Sequence, residues 1–175
     1  SGPLQFTGGT YDVALVGPGF IEVSTPSGAI QYTRAGNLTV NNANELVTAS
    51  GFKVSGPGGN AVTLPANAKE VSITDQGEIS ADGNVVGRIS VVEFDNVQEL
   101  QPEGNSLYSS KTPGRPATET IVKQGTLEGS NVNAIQETTR MIDILRTYQS
   151  TMRMMQNEHE RQVSAIQKLA KTSGN

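Results

Sequence analysis

Hydrophobic and polar positions follow two rhythms along this chain, and the change between them falls near residue 130. Upstream, short apolar runs are separated by Gly, Pro, Asn and Asp clusters. Residues 11–24 read YDVALVGPGFIEVS, two β-rich runs either side of Gly17-Pro18-Gly19, the pattern of a strand bend or a hairpin. In AIQYTRAGNLTV, Ile30, Tyr32 and Arg34 share one face of a strand that turns at Ala35-Gly36-Asn37. The same grammar continues through a loop at Asn41-Asn42-Ala43-Asn44, a tight turn at Ser50-Gly51 and a GPGGN loop at 56–60.

The alternation is clearest from 61 to 94. AVTLP reads as a strand ending at Pro65. KEVSITDQGEIS sets Val71 and Ile73 inward against Glu70, Ser72 and Thr74, then turns at Gln76-Gly77. Asp82-Gly83 is a favoured hairpin dipeptide. The run that follows has Val86, Arg88, Ser90, Val92 and Phe94 on one face and Val85, Gly87, Ile89, Val91 and Glu93 on the other. Neither face is purely polar, so the run is expected to be a central strand covered on both sides. Residues 95–120, broken by Pro102, Pro113 and Pro116, read as loop-rich, with SSKTPGRPATET an exposed connector, and TIVKQGTLEGS reads as a last strand pair around Gly125. Regular short strands of this kind predict an all-β domain.

Downstream the period changes. Asn133 is a good N-cap with Gln136 three residues on. One seam then runs Ile135, Thr138, Ile142, Leu145, Gln149, Met152, Gln156, His159, Val163, Ile166 and Ala170, in steps of three and four. A flanking row of Met141, Tyr148, Met155, Gln162 and Leu169 widens it. No Gly or Pro interrupts 134–172, so the spacing predicts a helix of roughly 58 Å. Such a stripe exceeds what a small β core can cover, and helices draw most of their stability from packing an apolar face. The arm therefore wants a partner helix, from other copies or from a segment preceding Ser1. The polar seam positions Gln149, Gln156 and His159 either fix register or face water where the partner ends.

The chain is thus expected to be mainly β: a compact all-β domain of short strands followed by one long C-terminal α-helix, a coiled-coil arm. Residues 1–112 form the body, 113–132 a connector and 133–172 the heptad helix.

Composition refines this picture in three places. Aromatic residues are only 5% and Trp is absent, so Val, Ile and Leu must build a modest core. The net charge of −4 is split: residues 1–132 hold 7 Lys/Arg and 13 Asp/Glu, and residues 133–175 hold 6 and 4. The body is acidic and the arm mildly basic, either as two solvated surfaces or as opposite fields that help repeated subunits pack. No basic stripe with interleaved aromatics points to nucleic acid, and no apolar run is long enough for a membrane helix. The absence of Cys removes disulfides, thiolate zinc sites and a cysteine nucleophile. The chain has no initiator Met and reads as starting inside a longer protein.

Candidate chemistry is sparse. His159, the only histidine, has no carboxylate three or four residues away on its own face and reads as a packed or half-exposed seam residue. Gly17-Pro18-Gly19 and Gly56-Pro57-Gly58-Gly59 are not followed by helices and read as turns, not phosphate cradles. Glu93 and Asp95 bracket Phe94 and read as a solvated strand end ahead of a weak cation site. No catalytic constellation, cofactor site or metal site is expected.

Three collinear stretches carry a resemblance. YDVALVGPGFIEV, then YTRAGNLTVNNANELVTASGFKV, then GTLEGSNVNAIQETTRMIDILRTYQS resemble the flagellar axial proteins, the rod and hook family of the bacterial flagellum. The last stretch supplies Gly125, Leu127, Glu128, Ser130, Asn131, Val132 and Asn133, then Met141-Ile142, Arg146 and Tyr148. Within the family, the short β region and VGRISVVEFDN…GNSLY look most like basal-body rod proteins, the F-type of the proximal rod ahead of the G-type of the distal rod. Phe20-Ile21 stands where paired aromatics are usual and Leu38 where Phe is common.

The resemblance implies a structural subunit exported unfolded by the flagellar type III apparatus and stacked into a hollow periplasmic drive shaft. Its partners would be other copies and neighbouring rod proteins, with no membrane insertion. It implies coiled-coil pairing of terminal helices, and the N-terminal one would lie upstream of Ser1. The assembly interface expected on this basis is Asn131, Asn133, Ile135, Met141, Ile142, Leu145, Tyr148, Met152, Met155, Val163, Ile166 and Leu169. The alternative is a non-catalytic β binding module oligomerised by a C-terminal coiled coil.

Overall fold

A computed structural model describes residues 2–129, 142–156 and 159. The chain divides into two units, Ser1–Asn131 and Val132–Asn175. Among the described residues every strand lies in the first unit and the α-helix in the second. The fold class is the expected one, mainly β with a C-terminal helix.

The turns named from sequence place the strands. β5 (Leu38–Val40) and β6 (Leu46–Thr48) form a hairpin across the asparagine loop, where Asn41 Oδ1 accepts from the backbone N–H groups of Ala43 and Glu45. Thr48 and Phe52 close the Ser50-Gly51 turn into β7 (Lys53–Val54). β8 (Val71–Ile73), β9 (Glu78–Ala81) and β10 (Asn84–Arg88) form a three-stranded antiparallel meander. At its second turn Asp82 and Gly83 both have positive φ, 49° and 81°, the backbone that a two-residue hairpin of this type needs.

β2 (Val13–Val16) and β3 (Phe20–Ser24) do not pair with each other, so Gly17-Pro18-Gly19 is a strand bend and not a hairpin. β2 pairs with β15 (Ile121–Gln124), and β3 enters the largest sheet beside β4 (Ile30–Thr33). The opposite edge of β3 forks. Its first residues pair with β11 (Val91–Glu93) and its last with β7. The two faces of β3 serve two cores. Ile21 and Val23, both fully buried, join an aliphatic cluster with Val13, Leu15, Leu46, Val54 and Ile79. Phe20 lies with Tyr32, Val92 and Leu100 and meets Phe94 and Tyr108 edge to face. Four of the eight aromatics, Phe20, Tyr32, Phe94 and Tyr108, are thus gathered in one small cluster, and the main core is built chiefly from Val, Ile and Leu, with Tyr11 and Phe52 packed against it.

Two expectations are corrected. The run from 84 to 94 is not one central strand. It breaks at Ile89-Ser90, whose N–H groups donate to Gly77 O and Ser55 O instead of continuing one ladder. β10 is the outer strand of its sheet, with Val85 62% exposed, while β11 belongs to the largest sheet. The mixed pattern came from Ile89 and Val92 being buried in different clusters. Residues 95–120 are also more ordered than loops. They hold a hairpin of β12 (Gln101–Gly104) and β13 (Leu107–Ser109), and a short β14 (Arg115–Pro116) that pairs with β11. Pro102 sits in the outermost strand beside a bulge, where a missing N–H is tolerated.

One close approach fixes the packing of β2. Val13 N donates to Gly36 O at 2.9 Å, and a Cβ on Gly36 would stand 1.7 Å from Val13 O. The obstacle is backbone, which cannot swing aside. Gly36→Ala is expected to destabilise the body by about 3 kcal/mol, the upper end of the usual overpacking cost. Chemical denaturation of the two proteins reads this as a lowered midpoint at unchanged slope.

Candidate assembly interface

The last strand of the body, β16 (Thr126–Glu128), pairs with β1 (Leu4–Phe6) in register Leu4↔Glu128, Gln5↔Leu127, Phe6↔Thr126. β1 is too short to carry a period and gave no signal in the sequence. Gly125, with φ 69°, separates β15 from β16, and its N–H donates to Asp12 O. Gln124 fastens the meander to this end of the body: its side chain accepts from Ile73 N at 2.9 Å and donates to Val71 O and Thr10 O.

Glu128 is the hinge-pin of the region. Its Oε2 lies 2.8–2.9 Å from two nitrogens of Arg34, and its Oε1 accepts from Gly2 N at 2.8 Å. The rest of the Arg34 guanidinium donates to Gly17 O (3.0 Å), Gly19 O (2.7 Å) and Leu15 O (3.1 Å). It also stacks 5.6 Å from the Phe20 ring centroid. One planar fork thus ties together all three stretches that carry the family resemblance. A guanidinium suits this place because its five donors are fixed in one plane. The bend at Gly17-Pro18-Gly19 presents carbonyls to a cation, the opposite polarity of a phosphate cradle. Gly17 has φ 134°, and a Cβ there would stand 2.8 Å from the backbone of Thr120. The sequence singled out Arg34 and Glu128 as motif positions but not as partners, because 94 residues separate them.

A second carboxylate corrects an expectation outright. Glu93 is 1% exposed, not a solvated strand end. Its Oε1 accepts from Glu119 N (2.9 Å), Thr120 Oγ1 (2.8 Å) and Thr118 N (3.2 Å), clasping the segment that leads into β15. Asp95, by contrast, is solvated. Burial pushes the Glu93 carboxyl up. The hydrogen bonds from Glu119, Thr120 and Thr118 together outweigh it and hold the group below its ordinary value of 4.5. Such a group stabilises the fold above its unfolded pKa, and that contribution is lost as pH falls through the lowered folded value. Glu22 works the other way. Burial raises its carboxyl more than the Ser90 hydrogen bond lowers it, so it favours the fold at low pH and loses that contribution as pH rises. Comparing wild type with Glu93→Gln cancels Glu22. The stability advantage of wild type is expected to be constant from pH 7 to about 5 and to shrink below 4.5, read by thermal unfolding at each pH. Parallel curves would exclude Glu93 as the source.

The arm helix, α1 (142–156), is exposed throughout as described. It carries five of the expected interface residues: Ile142, Leu145, Tyr148, Met152 and Met155, each between 43% and 65% exposed. At 100° per residue they span one side of the helix, extended by Ile144, while Ser150, Asp143 and Thr147 fall on the other. The Thr147 and Thr151 hydroxyls turn back onto Asp143 O and Thr147 O. The remaining expected positions, Asn131, Asn133, Ile135, Met141, Val163, Ile166 and Leu169, lie outside the described residues. These residues form an apolar stripe along a helix about 22 Å long, uncovered among the described residues.

Residues 14–81 match the family described as the flagellar hook protein FlgE/F/G D1 domain. Residues 123–168 match that described as flagellar basal body rod FlgEFG protein C-terminal. The flagellar basal-body rod protein FlgF of Caulobacter vibrioides is 37% identical over 172 residues, covering 97% of this chain and 70% of that protein. The rod protein FlgG of Agrobacterium fabrum is 32% identical, covering 91% and 64%. The hook-basal body complex protein FlhP of Bacillus subtilis is 36% identical, covering 87% and 62%. The chain thus spans about two thirds of the length of these relatives. Of the three the F-type protein shares most with it, in line with the F-type expectation. The chain belongs to the family of flagellar basal-body rod proteins, the structural proteins of the rod.

Proposed function

We propose that this chain is a rod subunit that polymerises through its C-terminal helix into the hollow drive shaft. The helix pairs as a coiled coil with other copies and with neighbouring rod proteins. The observation that carries this reading is the uncovered stripe Ile142, Leu145, Tyr148, Met152 and Met155 on α1 in a chain of the rod family. The interface expected from sequence continues through Asn131 and Asn133, the seam positions Ile135, Val163 and Ile166, and the flanking Met141 and Leu169. On this reading the role is structural and not catalytic, export runs through the flagellar type III apparatus, and no part inserts into the membrane.

The Arg34–Glu128 clasp supports the same division of labour. It fixes β16, the last strand of the body, against the bend at Gly17-Pro18-Gly19. The test is genetic. The gene is deleted in its source organism and complemented with the full-length protein or with one truncated before Asn133, and hook-basal bodies are scored by electron microscopy. Assembly that stops at the rod in both the deletion and the truncation is the expected outcome. Normal flagella in both would overturn the reading in favour of a β binding module.

A further inference from the structure

Beside the Glu93 clasp lies a cavity of about 310 Å³ that takes no part in the Arg34–Glu128 region. Glu93, Asp95, Glu99 and Arg115 give it its charge, and Phe94 and Pro113 give it apolar wall. Three carboxylates face one guanidinium, so the pocket is short of positive charge. Glu93 divides its two oxygens. Oε1 holds the 118–120 segment, while Oε2, buried on the side of Arg115, has no hydrogen-bond donor among the described residues. The nearest cation, Arg115 Nη2, stops at 3.9 Å, outside hydrogen-bond reach, because its Nε is drawn to Asp95 at 3.3 Å. A buried carboxylate oxygen with no donor is costly. Among the described residues no group of three or more acidic or histidine side chains is placed to hold a metal ion. What fits is an organic cation whose charge meets the carboxylates of Asp95 and Glu99 beside Glu93 and whose stem lies along Phe94 and Pro113.

We propose that this pocket receives an arginine side chain from the arm of a second copy of the chain. The proposal rests on the reading that copies assemble. Charge complementarity selects the occupant. The body, with 7 basic and 13 acidic residues in 1–132, meets an arm with 6 and 4 in 133–175. On α1, Arg146 and Arg153 are exposed and have no ion-pair partner among the described residues. They lie seven residues apart in one row, about 10 Å along the axis. That row flanks the apolar stripe and does not lie within it. An arm that buries its stripe against another helix therefore still presents this row to a third surface, and the acidic pocket is the matching surface on the body.

The test uses two variants that leave Glu93 untouched. Asp95→Lys/Glu99→Lys reverses the rim, and Arg146→Glu/Arg153→Glu reverses the row. In polymerisation of the full-length protein followed by light scattering, each variant alone is expected to assemble at least tenfold more slowly than wild type. The combination of all four changes in one chain recovers most of the rate. Circular dichroism of each variant confirms the β body. Because the chain has no cysteine, Asp95→Cys and Arg153→Cys copies can be mixed and oxidised without background, and a crosslinked heterodimer is expected. If wild type assembles and the rim variant assembles equally well, the pocket proposal is overturned and the rod reading stands. If wild type does not assemble, the rod reading fails, and the crosslink alone decides the pocket: its absence overturns the proposal, its presence upholds it.

Discussion

Replacing Arg34 with Met is expected to lower the thermal midpoint of the body by about 10 °C. The substitution keeps the length of the stem over Phe20 but removes every donor. Glu128, whose side chain is only 11% exposed, keeps Gly2 on Oε1 and loses the Arg34 cation on Oε2. The carbonyls of Leu15, Gly17 and Gly19 lose their donor in the same step. Removing one partner of a buried ion pair costs about 3–5 kcal/mol. Because Arg34 is itself 23% exposed, about 3 kcal/mol is appropriate, and a domain of this size shifts by about 3–4 °C for each kcal/mol. Arg34→Lys keeps the charge but not the fork and should recover only part of the loss. The comparison is Arg88→Met, which removes two exposed contacts to Gln76 and should change stability by no more than about 0.5 kcal/mol. Equal shifts for Arg34→Met and Arg88→Met would show that the clasp contributes nothing special.

The second large effect belongs to the arm and leaves the body untouched. Leu145→Asp is expected to abolish rod assembly while the unfolding midpoint of the body stays where it was. Leu145 is half exposed on α1, so the isolated chain has little to lose. In a coiled coil the same position is dry, and an unpaired carboxylate there costs several kcal/mol. About 4 kcal/mol weakens a joint roughly a thousandfold, and the cost recurs at every joint of a polymer. Ser150→Asp, on the opposite side of the same helix, is the control and should assemble normally. Electron microscopy of basal bodies from complemented strains reads both. Normal rods with Leu145→Asp would show that this seam position is not buried in the shaft.

The sequence made some features legible and hid others for definite physical reasons. Hairpins were readable because their turn chemistry is local: Asp82-Gly83 and the asparagine loop each announce a backbone shape within a few residues. The fork on β3 was not, because Ile21 and Val23 look alike whether the neighbouring strand is β7 or β11. The break at Ile89-Ser90 was hidden for a similar reason. Apolar residues on both sides of a run are the mark of a central strand, and also of a strand that changes sheets midway. Glu93 was misread because a carboxylate near a strand end is usually wet. Nothing near it in sequence reveals that Thr118, Glu119 and Thr120 return to meet it. Arg34 and Glu128 were visible as motif members through resemblance, and their pairing emerged only in three dimensions. Five seam positions can be placed on α1, and the helical period that grouped them is local information of the most readable kind.

The pairing of β1 with β16 has a consequence for how the body relates to the rest of its protein. Directly paired residues in an antiparallel ladder have Cα atoms only about 5 Å apart, and Leu4 faces Glu128 in this way. Everything from residue 7 to residue 125 is therefore, in topological terms, the loop of one long hairpin. Segments joined before Leu4 and after Glu128 would emerge side by side whatever that loop contains. It could grow, shrink or be exchanged, as insertions between adjacent ends generally can, without altering the gap between those segments. On the proposed reading, subunit types can thus differ throughout that loop while the two ends that join it to the rest of the protein keep one spacing.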